Sequence, residues 1–449
     1  MKERKRILAL LLSGVMALGL FGCGVTTGSK EAAPENTPAP ASDAGTAAEN
    51  KGTDTADAGN AKKKTIYIYQ LKIQIDEALK NVCKQYSELH PEVEFVVESE
   101  ADNYFTSLKT KFTGGQAPDV FTIVGNADAK LWQSHLEDLS DQPWVADMID
   151  LAKQDITIDG GVYGLPVSVE GYGYMYNKKL FEKAGITGVP TTLSEMKDAV
   201  AKLEAAGISP ITEPYMDWYQ AGNFMVNVGM ARQEDPMAFL QGLNDGSTTF
   251  VDNPEFLTLA DYLLYDVSKC TNPMNTDFNT QTSQFSNQEV AITLGGNWNQ
   301  PTLDEAGGDL SAGLMPFPID DDKESNDMLF AGVTGYWGIN KDSEAKDEIK
   351  EFFTWLSTTP EGQKCMTTDL QMIPAFQSFE ADPDSIGELG TDLSSYISQG
   401  KVYGMYHSYY PDGFAQAAGE AVQKLVAGNI DGAAFTRELQ NGWDNLKTE

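Results

Sequence analysis

The sequence predicts an α/β protein with parallel sheet, and three observations carry that prediction. Short runs of β-branched and aromatic residues alternate with segments whose apolar residues recur at helical spacing. The alternation begins only near Thr65. About 385 residues follow that point, too many for one ordinary core and enough for two domains.

The chain opens with Lys2, Arg4, Lys5 and Arg6, an apolar run from Ile7 to Phe21, and then Gly22-Cys23. A basic start, a short apolar stretch and a small residue before the end read as a secretory leader, not as a fold element. The run is shorter than the roughly 20 residues a bilayer span needs, and no later segment is apolar and long enough either. The pattern resembles a bacterial lipoprotein signal over residues 1–22, in which Cys23 is the lipidated first residue of the mature chain. Residues 23–64 continue with Ala, Thr, Gly, Pro, Asp, Glu and Asn, and Val25 is the only large aliphatic up to Ala61. Such a segment buries too little to offset ordering entropy, so a disordered tether spanning on the order of 35 Å is expected.

Thr65–Gln70, with Ile66, Tyr67, Ile68 and Tyr69, reads as the first strand. Ile75, Leu79, Val82, Tyr86 and Leu89 then fall on one helical face, and Pro91 ends that helix. Val93–Glu98 is a second strand, Tyr104, Leu108 and Phe112 mark a helix, and Asp119–Val124 is a third strand. In parallel α/β sheets ligands sit beyond the carboxyl ends of strands, which points to the loops after Gln70, Glu98 and Val124. Later, Thr192-Leu193-Ser194-Glu195 fits a capping box ahead of Met196, Val200 and Leu203. Ile349, Phe352, Phe353 and Leu356 form another stripe, as do Val422, Leu425 and Val426. No internal repeat is evident.

Charge and composition narrow the function. The formal net charge is -34, and removal of the basic leader takes it to about -37. Such a surface repels nucleic acid and anionic headgroups. Only Arg232 and Arg437 remain after the leader, so a phosphate, sulfate or uronate clamp built on Arg forks is disfavoured and a neutral ligand favoured. His90, His135 and His407 show no metal-binding interval, and no P-loop, dinucleotide fingerprint or nucleophile elbow occurs, so no cofactor is expected. Asp320-Asp321-Asp322 lacks the ligand spacing of a calcium loop and reads as solvated. Cys83 falls on the apolar face of its helix as a buried thiol. Spacing neither requires nor forbids a Cys270–Cys365 disulfide. Two carboxylates stand among aromatics: Glu170 before Tyr172 and Tyr174, and Glu213 before Tyr215 and Trp218. Acids accept hydrogen bonds from sugar hydroxyls while rings cover the C–H face of a pyranose. A glycosidase uses the same residue types as an acid pair, so both uses stay open at this point.

Tyr163-Gly164-Leu165-Pro166, followed by Tyr174-Met175-Tyr176-Asn177-Lys178-Lys179-Leu180-Phe181, resembles the extracellular solute-binding proteins of carbohydrate ABC importers, the maltose-binding-protein-like group. Ala117–Phe121, the stretch from Phe285 to Gly296-Asn297-Trp298, and Gly335–Lys350 leading into Phe352–Leu356 agree in the same order. The likeness covers nearly everything after Thr65. It implies a periplasmic-binding-protein-like fold with two lobes, each a sheet flanked by helices, joined by a hinge of three crossings near Ser168–Tyr172, Phe330–Tyr336 and Thr368–Phe376. The implied lobes are residues 65–169 with 336–372, and 170–335 with 373–449. Gly171, Gly173, Gly332 and Gly335 suit the hinge. The resemblance also implies ligand contacts at Asn126, Glu170, Glu213, Tyr215, Trp218, Trp298, Tyr409 and Tyr410.

The resulting expectation is a monomeric, lipid-anchored receptor on the extracytoplasmic face, not an enzyme. It would bind a neutral mono- or oligosaccharide and hand it to ABC permease subunits. The competing readings are a secreted glycosidase using Glu170 and Glu213, a binding protein for another polar solute, and a lipoprotein with no transport partner.

Overall fold

The computed structural model describes residues 63–100, 103–307 and 309–447. The leader, Cys23 and the tether lie outside the described residues. Among the described residues, two larger sheets are built from β1 (Lys64–Gln70), β2 (Val93–Ser99), β3 (Val120–Ile123), β4 (Leu165–Pro166), β5 (Val169–Asn177), β6 (Ser209–Thr212), β7 (Val290–Gly296), β8 (Ala312–Met315), β9 (Leu329–Val333), β10 (Tyr336–Ile339) and β11 (Val402–Gly404).

The first sheet has the order β2-β1-β3-β10-β4. β1 runs parallel to β2 and β3, while β10 returns antiparallel against β3. Parallel pairing needs crossover helices, and the sequence supplies them. Asp76–Leu89 starts with Asp76 and Glu77 at its positive end and buries Leu79, Val82, Cys83 and Tyr86. Tyr86 meets Phe352 at 4.9 Å between ring centroids, which ties the late helix Lys346–Thr358 to the same face. Phe112 and Trp132 pack on Phe121 from the other side.

The second sheet is mixed, with order β11-β9-β5-β7-β6 and β8 beside the far half of β5. The parallel pattern of the first half of the chain therefore does not extend here: β5 pairs antiparallel with β7, β8 and β9. Helices cover both faces. Pro383–Ser398 lies on one, so closely that a Cβ on Gly171 would fall 2.3 Å from a Leu393 methyl. A Cβ on Gly173 would meet the Met315 carbonyl at 2.3 Å. These two glycines serve close packing, not the hinge freedom expected of them. Helices Pro254–Val267 and Phe414–Val426 bury Tyr262, Phe256, Phe414 and Val422 in the core on the opposite face.

The chain passes between the sheets at Val167–Ser168 and at Thr334–Gly335, and Ile373 lies beside both. Val167 N donates to Gly335 O at 3.0 Å, and Val169 N donates to Ile373 O at 2.8 Å. The third passage comes later than expected, because Ile149 N still bonds Ala375 O and Gln377 N bonds Asp147 O on the first lobe. Thr192 caps Leu193–Ala205 by accepting from Glu195 N, but the Glu195 carboxylate reaches Thr191 N, one residue before the expected partner. Cys83, Cys270 and Cys365 are all free thiols.

Candidate functional site

Between the two sheets lies a cleft of about 2170 Å³. Leu71, Lys72, Phe105, Asn126 and Asp155 line it from the first lobe, Glu170, Val333 and Thr334 form its floor, and Tyr219, Phe224, Trp298, His407, Tyr409 and Tyr410 line the second. The loops after β1 and β3 are thus in the wall, as expected of strand carboxyl ends. After β2 the contribution comes from Phe105 on the following helix.

Trp298 follows β7 on the turn Asn297–Asn299. Asn297 Oδ1 accepts from Gly171 N at 2.9 Å and Asn299 Oδ1 accepts from Gly296 N at 3.1 Å, so the turn is pinned to the sheet. A Cβ on Gly296 would fall 2.4 Å from the Gly171 carbonyl and 2.5 Å from the indole ring, which explains the glycine two residues before the tryptophan. The indole stacks on Phe224 with centroids 5.4 Å apart and 27° between planes. Phe224 sits on the π-helical turn Ala221–Met225, a local irregularity often found where side chains are aimed at sites.

Glu170 has both carboxylate oxygens engaged. Oε1 forms an ion pair with Lys72, and Oε2 accepts from Thr334 Oγ1 at 2.6 Å. Asn126 is buried, with its amide 3.5 Å from the Asp155 carbonyl. Tyr409 Oη donates to Asp155 Oδ1 at 2.6 Å, and burial pushes the Asp155 carboxyl up to about 6. His407 packs edge-on against Phe224, and burial holds its ring down at about 4, hence neutral near pH 7. His407 Nδ1 and Tyr410 Oη have no partner among the described residues. Buried polar atoms left unpaired cost about 1–3 kcal/mol each.

Three of the sequence candidates stand elsewhere. Glu213 and Tyr215 are fully buried in the second lobe and do not reach the cleft. Glu213 Oε1 accepts from Leu294 N at 3.0 Å, because the parallel pairing of β6 with β7 brings that amide alongside. Tyr215 donates to Asp266 Oδ2 at 2.7 Å, and Tyr174 donates to Oδ1 at 2.9 Å. Burial, reinforced by the Asp266 charge, pushes the Glu213 carboxyl well above the usual range. This corrects the expectation of a sugar-binding role for the pair, and it removes Glu213 as a glycosidase partner for Glu170. Trp218 starts the short helix Trp218–Gln220 and is 39% exposed. It is not part of the cleft wall, where its neighbour Tyr219 is.

Lys72, Thr334, Asp155, Tyr219 and Phe224 escaped the sequence reading. Lys72, which follows the carboxyl end of β1, and Thr334, inside the expected crossing Phe330–Tyr336, had usable signals. Arg232, a candidate anion clamp, is spent on structure: Nε meets Glu255 at 2.8 Å and Nη2 meets Asp320 at 2.5 Å. The other aspartates of that run accept from backbone amides, Asp321 at Ser194 and Asp322 as the cap of Lys323–Asn326. Asp321 and Asp322 are exposed, as expected of a solvated loop, and also cap local backbone. No cluster of metal-ligating side chains occurs among the described residues.

A family model described as "Bacterial extracellular solute-binding protein" matches residues 72–364. The chain is similar to a maltotriose-binding protein of Pyrococcus abyssi, 25% identical over 74% of this chain and 70% of the relative. It is similar to a multiple sugar-binding protein of Streptococcus mutans, 22% identical over 68% of this chain and 74% of that one. Its fold matches the atomic-resolution structure of apo RafE from Streptococcus pneumoniae with a TM-score of 0.73 at 17% identity, covering 87% of this chain and 100% of that chain.

Proposed function

We propose a transport role from one premise: this chain belongs to the bacterial extracellular solute-binding protein family, whose members are binding proteins and not enzymes. The protein captures a neutral oligosaccharide between its lobes and delivers it to an ABC importer. Cys23, lipidated, keeps it at the extracytoplasmic face of the membrane. Among the described residues no helix is long and apolar enough to cross a bilayer.

The observation that carries the reading is the cleft wall itself. Trp298 backed by Phe224 offers a flat apolar platform beside the Glu170 carboxylate and the Thr334 hydroxyl. A pyranose presents the same alternation of apolar face and hydroxyl rim. The cleft exceeds the roughly 300–1,000 Å³ of ordinary small-molecule pockets, which favours an oligosaccharide over a monosaccharide. Names borne by the relatives, maltotriose-binding and multiple sugar-binding, lean the same way. Acids outnumber lysines along the wall, which disfavours anionic sugars. The assigned contacts are Asn126, Glu170, Trp298 and Tyr410, with Tyr219 and His407 added.

Thermal unfolding with maltotriose, raffinose, their monosaccharides and an oligouronate tests this. A neutral oligosaccharide at about 100 times its Kd should stabilise the protein by about 2.7 kcal/mol, with the sugar recovered intact. Stabilisation by none of the neutral sugars, or consumption of one, would overturn the reading. In cells, Cys23→Ala should move the protein from the membrane fraction to the medium or periplasm without changing that stabilisation.

A further inference from the structure

Tyr409 and Asp155 belong to opposite lobes. Asp155 lies on the helix Asp150–Ile156, held to the first sheet by the Tyr336 hydroxyl on the Ala152 carbonyl at 2.8 Å. Tyr409 ends the turn Tyr406–Tyr409 just after β11 of the second sheet. The Oη to Oδ1 bond of 2.6 Å therefore crosses the cleft. Next to it the Gly125 backbone meets Ser408 of the facing wall. Gly125, at φ +69°, opens the helix Gly125–Trp132, and a Cβ there would fall 2.5 Å from Ser408 Cβ. Any side chain at 125 would hold the walls apart and strain a left-handed residue.

We propose that the Tyr409–Asp155 hydrogen bond, seated on the Gly125–Ser408 contact, is an interlobe latch that favours the closed cleft and so slows release of the bound sugar. Tyr409 then acts as a positioning residue for closure and not as a sugar contact. The inference rests on the cleft being a ligand trap. A phenol donating to a shielded carboxylate is among the stronger hydrogen bonds, and Asp155 is only 8% exposed. A contact made only when the walls meet shifts the lobes toward closure without any ligand. Because apparent affinity scales with the competent fraction, the latch strengthens binding while adding no contact to the sugar. Its effect falls on dissociation, since the sugar leaves only after the walls part.

The test uses the full chain with a fluorophore pair at Lys109 and Gln241, exposed residues on facing walls of the cleft. Without sugar, Tyr409→Phe and Asp155→Ala should both lower energy transfer relative to the parent. Asp155→Asn, which keeps an acceptor oxygen, should recover most of the loss seen with Ala. With a bound neutral trisaccharide such as maltotriose, both disrupting variants should release it roughly tenfold faster, while association changes less than about threefold. Unchanged energy transfer in both variants would overturn the latch, even where release accelerates, because Tyr409 would then be touching the sugar. A parent that binds no sugar would sink the transport reading instead, and energy transfer would still decide the latch.

Discussion

Glu170 and Glu213 flank the same sheet and each has aromatic rings for neighbours, yet one is met by a cation and the other by a second acid. Glu170 stands where β5 leaves the hinge, in register with Gly332, and its charge is matched by Lys72 and a hydroxyl from Thr334. Those partners line the cleft, where the hydroxyls of the proposed sugar would replace them. Glu213 faces Asp266 in a cage of Tyr174, Tyr215 and Tyr262, and it bonds a backbone amide that cannot move. Burial there is answered by holding the proton, not by pairing the charge. The contrast teaches that an acid among aromatics can serve the proposed site only where its partners can be exchanged.

The largest effect that separates the two regions is on stability. Glu213→Ala removes the acceptor of Leu294 N and opens space in a packed core, so urea unfolding should show a loss of about 3–5 kcal/mol. The folded fraction should bind sugar as the parent does. Lost affinity in a Glu213→Ala protein that unfolds normally would put Glu213 back in the site and break the contrast.

The next effect is the pH dependence of the same core. Burial pushes the Asp266 carboxyl up to about 6, against about 3.9 in an unfolded chain. Between these values the unfolded state gives up the proton first, so raising the pH through the window from about 4 to 6 lowers stability, by at most about 3 kcal/mol. Asp128 and Asp155, also pushed up to about 6 by burial, add slopes of the same sign. Acids held low by partners, such as Asp76 beside Lys80, give the opposite slope below about pH 4. Stability should therefore peak near pH 4, and Asp266→Asn should flatten the decline above it. An equal slope in the variant would mean that Asp266 does not supply the decline.

Where a feature was local, the sequence carried it. The apolar face of Asp76–Leu89, the cap at Thr192, the buried Cys83 and the polar-to-aromatic turn at Trp298 all follow from neighbours within a few residues. What escaped depends on strand pairing. Leu294 N meets Glu213 across 81 residues, and Asp155 meets Tyr409 across 254. Neither distance leaves a mark in the residues nearby. The family resemblance placed Glu170 and Trp298 on the cleft wall, but it carried Glu213 and Tyr215 there as well, because a shared motif preserves residue types while the sheet decides which way they face. The late third passage has the same cause, since Ala375 and Gln377 are held by residues 147–149 of the first lobe.

The smallest effect compares two tryptophans that the sequence treated alike. Trp298 is pinned by two asparagine side chains and backed by Phe224, so its ring is already fixed in the orientation that a sugar face needs. Trp298→Ala should cost about 1–3 kcal/mol of affinity in a titration with the sugar that stabilises the parent. Trp218 makes one edge contact, with Tyr219 at 5.9 Å, and its ring stands outside the cleft wall. Its backbone holds the fold, since a Cβ on Gly419 would fall 2.3 Å from the Trp218 carbonyl, and alanine preserves that backbone. Trp218→Ala should therefore change affinity by less than about 0.5 kcal/mol. A larger loss there, matching that at Trp298, would mean that the bound sugar reaches past Tyr219 onto the outer surface, and the ligand would then be longer than the cleft itself.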